Sequence, residues 1–107
     1  MAKLPGRFTA FQKSHPQVFK AYEELGKAAV AGGPLSPREI ALVKLAIASG
    51  AKMEGALHSH TRRALEAGLD PEEIRHVALL SVTTLGFPNM MAILSWMDDI
   101  LNSHKED

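Results

Sequence analysis

Apolar residues along this chain recur every three to four positions in blocks that end at glycine- or proline-containing breaks. That spacing is the signature of helices with one buried face. The first block carries Val18, Phe19, Tyr22, Leu25 and Ala29 and stops at Gly32-Gly33-Pro34. Ser14 is its expected cap, with Pro16 accepted in the first turn, where its missing N–H costs nothing. Ser36-Pro37-Arg38-Glu39 reads as a capping box, in which the serine oxygen accepts the Glu39 N–H and the Glu39 carboxylate reaches back. Asp70-Pro71-Glu72-Glu73 repeats the arrangement, placing acids where the helix dipole favours them. Gly68 stops the helix before it, and Gly86-Phe87-Pro88 breaks the chain before the last one. The pattern predicts five helices, over 16–31, 36–50, 53–67, 71–85 and 88–103, with no strand or repeat among them.

Two of these helices are apolar on nearly every side. Residues 40–48 hold Lys44 as their only charge, and Ile74, Val77, Leu79, Leu80, Val82 and Leu85 encircle the fourth helix. A domain this small cannot surround two such helices with its own residues, so the pattern predicts a symmetric homo-oligomer. A monomer with partly covered apolar residues is the alternative. The last helix presents Met90, Ile93, Leu94, Met97 and Leu101 inward, with Met91 and Trp96 on other faces.

Composition narrows the function classes. The 107 residues make one domain, 1–107, with residues 1–14 as an N-terminal arm. Twelve basic and twelve acidic residues cancel, which gives no general field for nucleic acid or an anionic membrane. No apolar run reaches the ~20 residues that span a bilayer, and the N-terminus has no apolar signal core. A cytoplasmic protein is expected. With no cysteine, disulfides and thiolate chemistry are excluded for these residues.

The densest chemistry lies in the third expected helix, which carries Glu54, His58, His60, Arg62 and Arg63. Helical residues turn by ~100° each, so Glu54 and His58, four apart, share a face. A carboxylate there orients an imidazole and raises its basicity, as a general base requires. His60, ~200° around from His58, shares its face with Met53, Ala56 and Ala64 and is expected to be desolvated and neutral. Arg62 and Arg63 are candidates to hold an anionic substrate. The plainer readings are a hydrogen-bonded core histidine, a solvated Glu–His pair and a solvated basic face. The two imidazoles point to different sides and no HxxxH spacing occurs, so no metal site is expected, and no cofactor motif is present. His15 sits at a helix entrance, His104 in a polar tail, and periodicity does not place His76.

Taken in order, Leu35–Ile47, Glu54, Leu57, His60–Leu69, Pro71–Val77 and Leu85–Pro88 resemble the carboxymuconolactone decarboxylase family, which includes the alkyl hydroperoxidase D (AhpD-like) proteins. The resemblance implies an all-α domain of five to six helices and homo-oligomers, commonly trimers or hexamers. The peroxidase branch carries Cys-x-x-Cys-x-x-x-His with an upstream glutamate. Here His60 matches the histidine, Met53 and Ala56 stand at the cysteine positions, and Ala41 at the acid. Neither residue can attack a peroxide or resolve a sulfenic acid, so thiol peroxidase activity is not expected. The decarboxylase branch needs only proton transfer and anion recognition, for which His60, Glu54 and His58, with Arg62 or Arg63, are the candidates. A non-catalytic oligomeric module binding a small ligand is the reading from another class.

Overall fold

A computed structural model describes residues 6–106 of the chain, with side chains through Ser103. Among these residues there are seven helices and no strand: α1 (Gly6–Ser14), α2 (Pro16–Ala31), α3 (Pro37–Ala51), α4 (Glu54–Glu66), α5 (Pro71–Leu80), α6 (Val82–Leu85) and α7 (Phe87–Glu106). They form two compact units, one ending at Leu35 and the other beginning at Ser36. The first five residues of the expected arm and the side chain of His104 lie outside the described residues.

The first unit corrects one expectation and adds a helix. The stretch before Pro16 holds α1, which the five-helix pattern does not include, with Phe8, Phe11 and His15 at helical spacing. The Phe8 ring meets the Phe19 ring edge-on at 5.1 Å, and Phe11 stacks on His15 at the same distance. Ser14 does not cap α2. It closes α1, where its hydroxyl faces the Phe11 carbonyl and the His15 Nδ1 at 2.9 Å, and His15 takes the capping position without a side-chain bond.

In the second unit α4 packs between α3 and α7, while α5 packs on α7 and α3. The shared core is built by Leu45 and Ala48 of α3, Leu57 and Ala64 of α4, Ile74 and Ala78 of α5, and Ile93, Met97 and Leu101 of α7. Full burial of one such leucine or isoleucine contributes about 1.5–3 kcal/mol. The inward stripe of α7 is as expected, except that Trp96 is partly buried against this core instead of pointing away. Met91 is exposed, as are Val43 and Ile47 of α3 and Leu79 and Leu80 of α5.

Local chemistry sets the helix ends. Both capping boxes form: Ser36 Oγ accepts the Glu39 N–H at 3.1 Å, Asp70 Oδ1 accepts the Glu73 N–H at 2.8 Å, and each glutamate returns a bond to its cap. The Ser36 backbone N–H, then its hydroxyl, holds the Glu39 carboxyl below its ordinary pKa. Arg38 pairs with Glu73, which ties the two boxes together. At the end of α4, Gly68 at φ +92° turns the chain so that its N–H meets the Leu65 carbonyl and the Leu69 N–H that of Ala64. Leu69 thereby enters the core, completing a Schellman motif. The expected helix over 71–85 is interrupted at Ser81, whose hydroxyl bonds the Ala78 carbonyl at 2.6 Å. The β-branched run Val82-Thr83-Thr84 then continues as a single short turn. Among the described residues no helix is long and apolar enough to cross a membrane.

Candidate functional site

Three positions of α4 face the core: Leu57, Thr61 and Ala64 are fully buried. The Thr61 hydroxyl is satisfied within the helix by the Leu57 carbonyl at 2.7 Å. This anchored stripe fixes the rotation of α4 and sends its two histidines to different neighbours.

On the α7 side, His58 is half-buried, and its Nε2 lies 3.0 Å from Asp99 Oδ2 and 3.9 Å from Glu54 Oε2. The expected Glu54–His58 pairing is the longer of the two contacts. The nearer partner is Asp99, 41 residues further along the chain. Both carboxylates are more exposed than the ring between them.

The other side of α4 holds His60. Its ring is half-buried, and no hydrogen bond to it forms among the described residues. Its pKa is lowered, first by desolvation and then by the positive charges of Arg63 and Lys44. A neutral imidazole of this kind keeps one nitrogen free to accept a proton. Arg63, three residues on, falls on the His60 face and is exposed; half-buried Arg62, four residues from His58, does not. Lys44 arrives from α3. The structure therefore separates the five candidates: His60 with Arg63 on one side, Glu54 and His58 on the other, and Arg62 away from His60.

Lys44 and Asp99 were not among the sequence candidates. Lys44 had a signal, as the only charge in the apolar run of α3. Asp99 had none, because a polar residue on the last helix shows nothing of which neighbour it meets.

Two clefts open in the second unit. One of about 600 Å³ lies between α5 and α7 and is lined by Glu72, Glu73, Arg75, His76, Leu79 and Leu94. The other, about 260 Å³, is bounded by α3, α5 and α6 and is apolar apart from Ser49, Ser81 and Thr84. His58 and His60 line neither. Arg75, at the rim of the larger cleft, is held by Asp98 at 2.9 Å.

A sequence model of the carboxymuconolactone decarboxylase family matches residues 16–99. No curated protein and no solved structure matches the chain.

Proposed function

The chain belongs to the carboxymuconolactone decarboxylase family, and from that premise we propose that it catalyses proton transfer on a small anionic substrate, a carboxylate or lactone, with His60 as the base. The observation behind this reading is the grouping of a half-buried, neutral imidazole with Lys44 and Arg63. Proton removal beside a carbonyl places negative charge on the substrate, and two cations beside the base stabilise that charge as it develops. The same cations disfavour the imidazolium, so His60 releases its proton readily for the next step. A carboxylate on the substrate gives Arg63 or Lys44 a binding handle. With no cysteine among the 107 residues, the chain itself supplies no thiolate for peroxide reduction. Exposed Val43, Ile47, Leu79 and Leu80 support assembly as a homo-oligomer, for which the family resemblance implies a trimer or hexamer.

The test follows hydrogen–deuterium exchange and turnover of a panel of small lactones and carboxylates by NMR. Replacing His60 by Gln should lower kcat by about 10²–10⁴-fold, the usual contribution of general-base catalysis. Lys44→Ala should lower kcat and raise KM together, since it removes a charge that both stabilises the developing anion and holds the carboxylate. Full turnover by the His60→Gln variant refutes the assignment.

A second reading, a non-catalytic module holding a small ligand, is favoured by one observation: His60 lines neither the α5–α7 cleft nor the cleft bounded by α3, α5 and α6. A ligand whose binding is blocked by Ser81→Leu and untouched by His60→Gln would support it.

A further inference from the structure

We infer that Glu54, His58 and Asp99 form a binding site for a divalent transition-metal ion of the zinc class. Their donor atoms all lie within 4.8 Å of one another. The Nε2 of His58 stands 3.0 Å from one carboxylate oxygen and 3.9 Å from the other. An ion with bonds of about 2.0–2.2 Å holds neighbouring donors about 3–3.5 Å apart, a spacing that small rotations of two exposed carboxylates reach. Glu54 and His58 share one face of α4, and Asp99 faces them from α7, so the packed core beneath the two helices sets the backbone geometry.

Charge points the same way. Among the described residues neither Glu54 nor Asp99 has an arginine or lysine partner, whereas neighbouring Asp98 is matched by Arg75 and Glu73 by Arg38. Two carboxylates around one imidazole leave negative charge that a divalent ion neutralises. The mixed nitrogen and oxygen donors favour zinc over magnesium, which takes oxygen ligands and keeps its waters. Three protein donors on an exposed surface leave further positions for water or a small anion, the arrangement of open zinc sites. The sequence expectation of no metal weighed donors along α4 alone, and the third ligand comes from another helix. The inference is independent of the role given to His60, which lies on the other side of α4.

Titration of the full chain with zinc chloride by calorimetry tests it, with magnesium chloride in parallel. Zinc should bind at one equivalent and raise the melting temperature, and magnesium should do neither. Asp99→Asn and His58→Ala should each weaken zinc binding by at least about tenfold, while His76→Ala leaves it unchanged. Circular dichroism checks that the variants keep their helix content, and Glu54→Gln, at an exposed position, repeats the test if one does not fold. Absence of zinc binding by the unaltered chain, or equal affinity in the Asp99→Asn and His58→Ala variants, overturns the site.

Discussion

Lys52 is the one described non-glycine residue with positive φ, at φ 54° and ψ 38°, where it closes α3 two residues before α4 begins. For an L-residue the left-handed conformation costs about 1–2 kcal/mol, because Cβ crowds the following carbonyl oxygen. Glycine escapes that cost but loses about 0.4–1 kcal/mol through the greater freedom of its unfolded chain. The Lys52→Gly variant should therefore be more stable by about 0.5–1 kcal/mol. The side chain offsets little of this, since its Nζ reaches only Asn89 Oδ1, at 3.4 Å and exposed. On a chain of this size the gain corresponds to a rise in Tm of roughly 2–8 °C. Lys52→Ala is the control: alanine keeps the Cβ and the strain, and should melt with the unaltered protein or below it. Thermal and urea denaturation followed by circular dichroism measure all three. A glycine variant that melts no higher than the alanine variant refutes the strain argument.

Protonation of His60 gives a pH prediction. Its native pKa is lowered by burial, so the unfolded chain takes up the proton first as pH falls. The associated stability is complete above the unfolded value of ~6.5 and declines as pH drops below it, at under about 1.4 kcal/mol per pH unit. His60→Gln should flatten the urea midpoint between pH 7.5 and pH 5, and equal pH dependence in both proteins would contradict the assignment. Ile93→Ala, at a fully buried core position, should cost about 2–5 kcal/mol, whereas Asp98→Asn, in a half-exposed bridge to Arg75, should cost under about 1 kcal/mol. Comparable losses from the two in chemical denaturation would invert the stated hierarchy. Removing either box-forming oxygen, by Ser36→Ala or Asp70→Ala, should cost about 1 kcal/mol by the same assay, and a neutral result would show the cap bonds to be replaced by water.

What could be read from the sequence follows the range over which each interaction acts. The capping boxes and the glycine stop at Gly68 involve residues three or four apart, and the structure places them as the pattern indicates. The core stripe of α7 was legible because periodicity alone determines which residues share a face. The break at Ser81 was hidden, since the apolar pattern continues through Val82 and Leu85 and only a serine hydroxyl turned back on Ala78 interrupts it. Helix α1 was missed because two phenylalanines are a thin signal in a short polar segment. At the site, the sequence reading carried Arg62 and Arg63 as equal candidates, and only Arg63 proves to act on His60. Lys44 and Asp99 arrive from other helices, and a contact across 41 residues leaves no mark on local periodicity.

The adjacent acids Asp98 and Asp99 have a consequence for how α7 tolerates change. One residue of helix separates them by ~100°, so Asp98 reaches Arg75 on α5 while Asp99 reaches His58 on α4. The helix is thereby indexed in rotation as well as in depth. A single-residue insertion or deletion between Phe87 and Asp98 would swing both acids off their partners and turn the buried stripe of Met97 and Leu101 by the same angle. A change in the number of residues in this part of α7 should therefore cost more than a substitution at one of its exposed positions, such as Met91, because it displaces both ion pairs and the core stripe together.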